Sequence, residues 1–331
     1  MAEVILNNVT KKFDLDTGIE DVSLTVPDGA FVVLLGPTGA GKTTTLRLIA
    51  GLEKPDQGQI SIGGQDVASL TPAQRDVAMV FQQYSLYPHL SVRENLAFPL
   101  KSPILNTPKE EIDRKVGAIA EVLQISHKLD NKATALSGGE MQRVSIGRAL
   151  VRSPSIYLMD EPLSSLDAKL RSELRVELKR IQEELGATML YVTHDQIEAM
   201  TMATHIGVLD QGRLVQFGTP REIYENPAST YVATRLGQPR INTLPVELFG
   251  NGPVGAKTIG LRPEHIKQGS GGNSTVRRVE HLGDQTRLHL SFEGHDIITL
   301  TDVHTKLSPG DKISIQPDNP LFFDANGARI G

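Results

Sequence analysis

Residues Phe31 to Ala50 read FVVLLGPTGAGKTTTLRLIA, and this stretch decides the fold. Its first five residues are apolar and partly β-branched without polar alternation, which is typical of a strand buried on both faces. The next eight, GPTGAGKT, match the pattern G-x-x-x-x-G-K-[ST] without a mismatch. A helical pattern follows, with Leu46, Leu48 and Ile49 among its apolar members. Because the motif lies between a strand and a helix, the stretch predicts a P-loop in an α/β domain.

The residue types of this loop suit a nucleoside triphosphate. Its three glycines let the backbone approach phosphate oxygens because no Cβ intervenes, and successive amides at the helix start then face an anion. We expect Lys42 to reach the β- and γ-phosphates and the Thr43 hydroxyl to ligate Mg²⁺. The loop predicts a nucleotide site and no more, since several enzyme classes carry it. The predicted cradle comprises Gly36, Pro37, Thr38, Gly39, Ala40, Gly41, Lys42, Thr43 and Thr44.

Composition limits the classes of protein to which the chain can belong. Its 331 residues suffice for two domains, and 39% hydrophobic with 22% charged residues is typical of a globular protein. The net charge of −5 gives no electrostatic case for binding nucleic acid. The lack of cysteine excludes disulfides, zinc–thiolate sites and a cysteine nucleophile. The N-terminus does not resemble a signal peptide, and no stretch has membrane-spanning length. We therefore expect a cytosolic chain that acts at a membrane only through a partner protein.

The pattern of predicted elements changes once along the chain. Strand and helix patterns alternate through residues 1–236 and predict an α/β nucleotide-binding domain, with a helical subdomain over about 84–150. From 237 to 331 only short alternating strands are predicted, punctuated by a glycine-rich piece at 269–273. This second region is typical of a small all-β barrel.

Two aromatic features allow alternative interpretations. Phe13, in a polar loop, could anchor the core or stack on a nucleotide base, and the pattern alone favours the core. Residues 82–91, QQYSLYPHLS, carry no charged side chain, and four of the fifteen Phe and Tyr residues fall between positions 81 and 98. Such a loop could lie under a neighbouring helix, or it could be a docking surface, where aromatics are enriched and charges depleted. The residues alone do not decide between these two.

A second motif, Leu136-Ser137-Gly138-Gly139-Glu140, begins another helix. Ser137 suits an N-cap, and Glu140 three residues later completes a capping box. Capping does not explain two glycines, which are costly in a first helical turn. They make sense where the backbone must lie against a bulky anion and offer its free amides.

Carboxylates and a histidine follow two further buried strands. Asp160 and Glu161 end the first, SIYLMDE, where Asp160 suits Mg²⁺ directly or through water. Glu161 points the other way along the strand and could orient or deprotonate the attacking water. His194 ends the second strand, TMLYVT, and is a candidate contact for a γ-phosphate. Without the other motifs, a capping or surface role would explain these residues.

In order and spacing, these motifs resemble an ATP-binding subunit of an ABC transporter. The LSGG sequence and the downstream histidine separate that family from kinases and GTPases, and the resemblance covers essentially the whole chain. It implies ATP and Mg²⁺ as ligands, with Thr43, Gln82 and Asp160 at the metal. It also implies catalytic roles for Lys42, Glu161 and His194, and base stacking for Phe13. The family's signature usually ends in Gln where this chain has Glu140, which completes the capping box equally well.

Two stretches, YSLYPHLSV at 84–92 and GLRPEH at 260–265, resemble the carbohydrate importers for maltose, glycerol-3-phosphate and multiple sugars. The resemblance implies that the loop receives a helix of a membrane subunit, and that 237–331 form an oligonucleotide-binding-like regulatory barrel. The implied docking residues are Tyr84, Leu86, Tyr87, Pro88, His89 and Leu90.

The resemblance predicts a complete mechanism and a set of partners. A homodimer would sandwich two ATP molecules, each between one subunit's P-loop and the other's Ser137, Gly138 and Gly139. The dimer would sit peripherally on the cytoplasmic face of the inner membrane, bound to two permease subunits and served by a periplasmic or extracellular substrate-binding protein. The alternatives are an ATPase of a polyamine, sulfate or iron importer, or a soluble ABC ATPase outside transport. Nothing in the sequence names the sugar.

Overall fold

A computed structural model describes residues 1–13, 16–102, 105, 107–250 and 252–331. The chain divides into two compact units, Met1–Pro220 and Arg221–Gly331. The boundary predicted from the sequence falls after residue 236, sixteen residues later (236 − 220). The division into compact units does not test the boundary between functional domains, so that boundary stays a prediction.

The strands of the first unit are β1 (Val4–Phe13), β2 (Asp16–Val26), β3 (Phe31–Leu35), β4 (Gln57–Ile62), β5 (Gln65–Asp66), β6 (Val77–Val80), β7 (Ile156–Asp160), β8 (Met189–Thr193), β9 (His205–Asp210) and β10 (Arg213–Gly218). Its helices are α1 (Lys42–Ala50), α2 (Val92–Ala97), α3 (Lys109–Val122), α4 (Gly138–Leu150), α5 (Ala168–Leu185) and α6 (Gln196–Met202). The chain continues with α7 (Pro220–Glu225), α8 (Thr230–Arg235), β11 (Asn242–Pro245), β12 (Thr258–Leu261), β13 (Ile266–His281), β14 (Thr286–Phe292), β15 (His295–Thr301), β16 (Lys312–Pro317), β17 (Leu321–Phe323) and β18 (Arg329–Ile330). Short 3₁₀ turns occupy Pro72–Gln74, Phe98–Lys101, Ser126–Lys128, Ala133–Ala135, Val246–Phe249 and Pro263–His265.

The central sheet of the first unit has the strand order β10-β9-β3-β8-β7-β6 among the described residues. Strands β3, β6, β7, β8 and β9 run parallel, and β10 closes the sheet as an antiparallel hairpin with β9. Every residue of β3, β7 and β8 is buried, which confirms the expectation drawn from their unbroken apolar runs. Because parallel strands end at one edge, the segments that follow β3, β7 and β8 lie together.

A second, antiparallel sheet has the order β2-β1-β4-β5. In β2, side chains from Asp21 to Val26 alternate between exposed and buried as predicted, but the alternation expected from Ile19 onward is interrupted at Asp21, whose φ is 53° and which leaves Ile19 and Val22 both buried. Apolar residues of this sheet share one core with β3 and α1; the largest fully buried members include Leu6, Ile19, Leu34, Leu46 and Ile49. That core fixes the P-loop between two packed layers.

Helices α2, α3 and α4 pack against one another in the region predicted as the helical subdomain. The helices approach one another closely at Gly147 of α4, where an added Cβ would lie 2.8 Å from the side chains of both Leu96 and Leu123. Predicted helix 108–125 corresponds to α3, whose N-cap is Pro108. The predicted limits of the subdomain, about 84–150, are not tested by these contacts.

The second unit carries two antiparallel sheets, with orders β11-β12-β17-β18 and β15-β14-β13-β16. Alternating inward residues such as Leu288, Leu290 and Phe292 of β14 fill its core. No α-helix follows Arg235 within the described residues, as predicted for an all-β region. One expectation is wrong: residues 269–273 do not end a strand but lie inside β13. There Ser270 and Ser274 both oppose Ile313, so the residues between them form a bulge within β13.

Among the described residues, no helix combines the length and the apolar character needed to cross a bilayer.

Candidate nucleotide-binding and hydrolysis site

The P-loop joins β3 to α1 through a tightly packed backbone. Gly41 is the N-cap of α1 with φ 96°, and a Cβ there would lie 2.5 Å from the Gly18 carbonyl oxygen. At Gly36 a Cβ would lie 2.6 Å from the Leu209 carbonyl oxygen. Both positions therefore require glycine. The first turn of α1 contains no acidic residue and its N-cap makes no side-chain hydrogen bond, so no carboxylate of this turn competes with an anion for the free amides at the helix start.

Lys42 is buried at the centre of this loop. Its Nζ donates to the carbonyl oxygens of Gly36 and Pro37, each at 2.9 Å, and lies 4.0 Å from Glu161 Oε1. Burial lowers the pKa of Lys42, and the neighbouring charges of Glu161 and Asp160 oppose that shift. The loop thus positions one cation where the β- and γ-phosphates of a nucleotide would lie.

Thr43 and Asp160 supply oxygen atoms beside the cradle. Thr43 Oγ1 donates to Asp160 Oδ1 at 3.0 Å, and Asp160 is 5% exposed. Burial raises the pKa of the Asp160 carboxyl, while the Thr43 hydrogen bond lowers it. A hydroxyl, a carboxylate and the nearby Gln82 amide match the hard oxygen ligands of Mg²⁺, which keeps several waters and takes few protein ligands. The residues present therefore fit a nucleotide-bound Mg²⁺.

Glu161 lies at the centre of the predicted catalytic residues. Its Oε1 is 3.3 Å from His194 Nδ1, and its Oε2 accepts from Gln82 Nε2 at 3.4 Å. Asp160 bonds to Thr43 whereas Glu161 faces His194 and Gln82, but Glu161 lies beyond the end of β7, so strand alternation does not set its direction. Glu161 also has φ 45° while its N–H donates to the Val192 carbonyl oxygen at 3.0 Å. Such left-handed backbone in a non-glycine residue is costly and concentrates at functional sites.

Phe13 is 39% exposed, so its interpretation as a core anchor is wrong. Its ring lies over Gly18, where a Cβ would be 2.7 Å from Phe13 Cε2 and 3.1 Å from Thr44 Cγ2. Lys11 Nζ lies 5.4 Å from the ring centroid. The structure thus holds a solvent-facing aromatic ring beside the first turn of α1. The sequence analysis missed Gly18, for which only a three-dimensional contact gives a signal.

The segment Ser137–Glu140, here called the signature segment, caps α4 as predicted. Ser137 Oγ accepts from the Glu140 N–H at 3.4 Å, and Glu140 Oε2 accepts from the Ser137 N–H at 2.8 Å. The Ser137 N–H is the main cause of a low Glu140 pKa, about 2, and Lys128 at 3.1 Å adds to it. Among the described residues, no hydrogen bond or ion pair joins this segment to the P-loop of the same chain.

The two glycines of the signature segment have close neighbours inside the chain. A Cβ at Gly138 would lie 3.0 Å from Tyr84 Oη. A Cβ at Gly139 would lie 3.2 Å from Leu170 Cδ2. Packing against these side-chain ends therefore favours small residues at both positions, which no sequence pattern indicates.

Residues 84–90 are here called the docking loop, and Tyr84, Ser85, Leu86 and Pro88 from it line one side of a groove of about 550 Å³. The Tyr87 ring lies 4.4 Å from that of Phe98, and the Tyr87 N–H donates to buried Asn95 Oδ1 at 2.9 Å. Pro88 and His89 are exposed, whereas Tyr84, Leu86 and Leu90 are half-buried. The loop is thus anchored on one side and open on the other. The sequence analysis missed Asn95 and Arg148, which also contacts this loop, because polar residues on a helix are expected to face water.

Comparison with known proteins identifies the family. The ABC transporter model matches residues 19–164, and the TOBE domain model matches residues 259–320. The sn-glycerol-3-phosphate import ATP-binding protein UgpC of Rhizobium meliloti is 52% identical over 352 aligned positions, covering all of both chains. UgpC of Ruegeria pomeroyi is 47% identical over 312 positions, covering 89% of this chain and 88% of the relative. The dimeric structure of MJ0796, a bacterial ABC transporter cassette, superposes with a TM-score of 0.61 at 32% identity, covering 66% of this chain and 99% of that one.

A second structure of MJ0796, a dimeric post-hydrolysis state bound to ADP and Pi, shows the same likeness, with a TM-score of 0.61 and 32% identity. The fold and the arrangement of P-loop, Asp160, Glu161 and His194 define a P-loop ATPase of the ATP-binding cassette class. The chain belongs to the ABC transporter family, in its branch of carbohydrate-import ATP-binding subunits. It is an ATPase whose ligands are ATP and Mg²⁺.

Proposed function

We propose that the chain powers an importer of a carbohydrate or sugar derivative, with sn-glycerol-3-phosphate as the first candidate substrate. One observation supports this proposal above others: the amide of Gln82 lies 3.4 Å from Glu161 and only two residues before the docking loop. The hydrolysis site and the surface for a membrane partner are therefore contiguous. The two UgpC relatives carry sn-glycerol-3-phosphate import in their names, which is the basis for the substrate.

The P-loop binds the triphosphate, and Lys42 neutralises charge on the β- and γ-phosphates. Phe13 stacks on the adenine base beside Thr44. Thr43, Asp160 and Gln82 hold Mg²⁺, which when bound supplies charge stabilisation to the phosphate oxygens.

Glu161 acts as general base towards a water molecule. The water oxygen attacks the γ-phosphorus, the bond between that phosphorus and the β–γ bridging oxygen breaks, and the water proton passes to a Glu161 carboxylate oxygen. Oε1 lies 3.3 Å from His194 Nδ1 and 4.0 Å from Lys42 Nζ, so two groups orient the carboxylate. His194 also contacts the γ-phosphate, and the products are ADP and inorganic phosphate.

The complete site needs a second copy of the chain. The signature segment is bonded to Lys128 and not to its own P-loop within the described residues, so its exposed Ser137 and the amides of Gly138 and Gly139 remain for another subunit's nucleotide. A homodimer places two such composite sites between the subunits. The MJ0796 neighbour is itself dimeric, which supports this arrangement.

The docking loop binds one of two permease subunits, and a substrate-binding protein outside the membrane delivers the solute. The chain accordingly works on the cytoplasmic face of the inner membrane as a peripheral subunit. Residues 1–236 form the nucleotide-binding domain with its helical subdomain near 84–150, and residues 237–331 form a regulatory barrel. Nucleic acid has no part in this function.

The test is reconstitution in lipid vesicles with the two membrane subunits and binding protein of an sn-glycerol-3-phosphate importer. We expect sn-glycerol-3-phosphate to stimulate phosphate release, maltose not to do so, and Lys42→Ala to abolish the release. Assembly with the membrane subunits of a maltose importer, together with stimulation by maltose through its binding protein and no response in the sn-glycerol-3-phosphate system, would reassign the substrate. A parental chain that neither assembles with the membrane subunits nor responds to solute would refute the transport function.

A further inference from the structure

The docking loop comes close to α4 at two places and is hydrogen-bonded to it at one. At the start of the helix, Tyr84 Oη lies 3.0 Å from where a Cβ of Gly138 would be. Near its end, Arg148 Nη1 donates to the Ser85 carbonyl oxygen at 2.7 Å, and the guanidinium lies 5.5 Å from the Tyr87 ring centroid. At 1.5 Å rise per residue Gly138 and Arg148 are about 15 Å apart on α4, and the long side chains of Tyr84 and Arg148 bridge from these positions to the adjacent loop residues Tyr84 and Ser85.

Arg148 is an unusual residue for this position. It is half-buried, and desolvation by burial lowers the pKa of its guanidinium. A buried cation is retained only where its hydrogen bonds compensate for lost hydration. Its recorded acceptor is the carbonyl of Ser85, a residue held at φ 49° in the left-handed region. The guanidinium therefore binds the docking loop at a strained backbone position.

The far end of the loop is attached to the same layer of helices. Buried Asn95 of α2 donates through Nδ2 to the carbonyl oxygens of Tyr87 and Ser91, at 3.1 and 3.0 Å. Helix α2 packs on α4. Gln82, by contrast, bonds to Glu161 of the hydrolysis site. Between Gln82 and Ser85 the bonding therefore changes from the hydrolysis site to the helices, which hold the carbonyl groups of Ser85 and Tyr87.

We propose that Arg148 is a positioning residue that clamps the docking loop along α4, so that a permease bound to the loop moves α4 and the signature segment at its N-terminus together. This inference rests on the proposed function. Its consequence is that one docking event acts on two ATP molecules. Gln82 contacts Glu161 of the same subunit, whereas the signature segment acts on the nucleotide held by the second subunit.

The experiment uses the full chain assembled with the membrane subunits of an sn-glycerol-3-phosphate importer in lipid vesicles. Arg148→Met keeps the aliphatic stem and removes the donors and the charge. Coupling between sites is typically worth about 5- to 150-fold, so we expect solute-stimulated turnover at saturating ATP to fall at least fivefold. Because Asn95 still holds the loop, we expect assembly and the KM for ATP to stay within twofold of the parent.

Two further variants make the result specific. Arg148→Lys restores a cationic donor to the Ser85 carbonyl and should return stimulation to within twofold of the parent, which a purely space-filling role would not do. Arg152→Ala is the matched control, since this arginine binds Asp76 Oδ1 at 3.1 Å and should leave all three readouts within twofold. Should Arg148→Met fail to unfold cooperatively, Arg148→Ala carries the same expectation.

If solute stimulates ATP turnover fully in a folded Arg148→Met chain, the proposed role of Arg148 is overturned and the proposed transport function stands. Loss of assembly in that variant would also overturn that role, because Arg148 would then act on binding and not on transmission. A parental complex that shows no stimulation would overturn the proposed function, and the clamp with it.

Discussion

Gly18 should control nucleotide affinity without touching the nucleotide. Its φ lies outside the left-handed region, so alanine suits the backbone there. The added Cβ, however, would lie 2.7 Å from Phe13 Cε2 and 3.1 Å from Thr44 Cγ2. Because Thr44 closes one side and the Phe13 ring is exposed, the ring is the group that moves. Gly18→Ala therefore displaces the platform proposed for the adenine base.

The size of the effect follows from the stacking that is lost. Base–aromatic stacking is worth about 1–3 kcal/mol by alanine substitution, and about 1.4 kcal/mol corresponds to a tenfold change in Kd. Phe13→Ala should raise the Kd for a non-hydrolysable ATP analogue by about 5- to 140-fold, measured by titration calorimetry. Gly18→Ala should fall within this range and not exceed the effect of Phe13→Ala.

A double-mutant cycle tests whether the two residues act as one. Since Gly18→Ala works only by moving the ring, the Phe13→Ala/Gly18→Ala chain should bind like Phe13→Ala alone. Gly117→Ala is the matched control, because a Cβ there meets nothing within 4 Å and helix α3 should only gain stability. Parental affinity in Gly18→Ala, or multiplicative losses in the double variant, would refute this reasoning.

Three other substitutions test separate parts of the molecule. Glu161→Gln should slow phosphate release by about 10²- to 10⁴-fold while ATP still binds, and parental turnover would exclude Glu161 as the base. Glu140 has a pKa lowered to about 2, so its contribution to stability is full above the unfolded value near 4.5 and is lost as pH falls towards 2. Glu140→Gln, which keeps a cap but loses the Lys128 ion pair, should therefore show a smaller drop in thermal midpoint between about pH 5 and about pH 3, and an unchanged drop would contradict this account. Tyr87→Glu should abolish assembly with the membrane subunits, and retained assembly would exclude the docking loop as their contact. An unchanged thermal midpoint of the Tyr87→Glu chain is the control that it still folds.

The sequence predicted the position of the site because its elements are local and its topology is regular. Unbroken apolar runs identified β3, β7 and β8 as buried, and parallel strands bring the residues that follow them to one edge. Lys42, Glu161 and His194 are therefore neighbours although they are far apart in the chain. Periodicity and motif spacing are therefore enough to predict that these three residues meet at one edge of the sheet.

What the sequence could not predict depends on contacts between distant segments. Arg148 lies on an amphipathic helix, where a cation is expected to face water, yet it binds the docking loop 63 positions earlier. The left-handed φ of Glu161 occurs where its N–H bonds to Val192 on the neighbouring strand. The glycines near 271 were expected to end a strand, but the partner β16 continues past them and turns them into a bulge. Each outcome was decided by a tertiary partner that no local pattern records.

The signature glycines show how two requirements can act on one position. From the sequence, two glycines in a first helical turn point to a bulky anion against the backbone. The structure adds a nearer cause: Tyr84 Oη lies 3.0 Å from a Cβ at Gly138, and Leu170 lies 3.2 Å from one at Gly139. Gly138 and Gly139 are only half-buried, so these contacts leave part of the helix start exposed. Gly138 therefore serves the docking loop through Tyr84 and the proposed nucleotide through its amide, which makes it the residue at which the two functions of α4 meet.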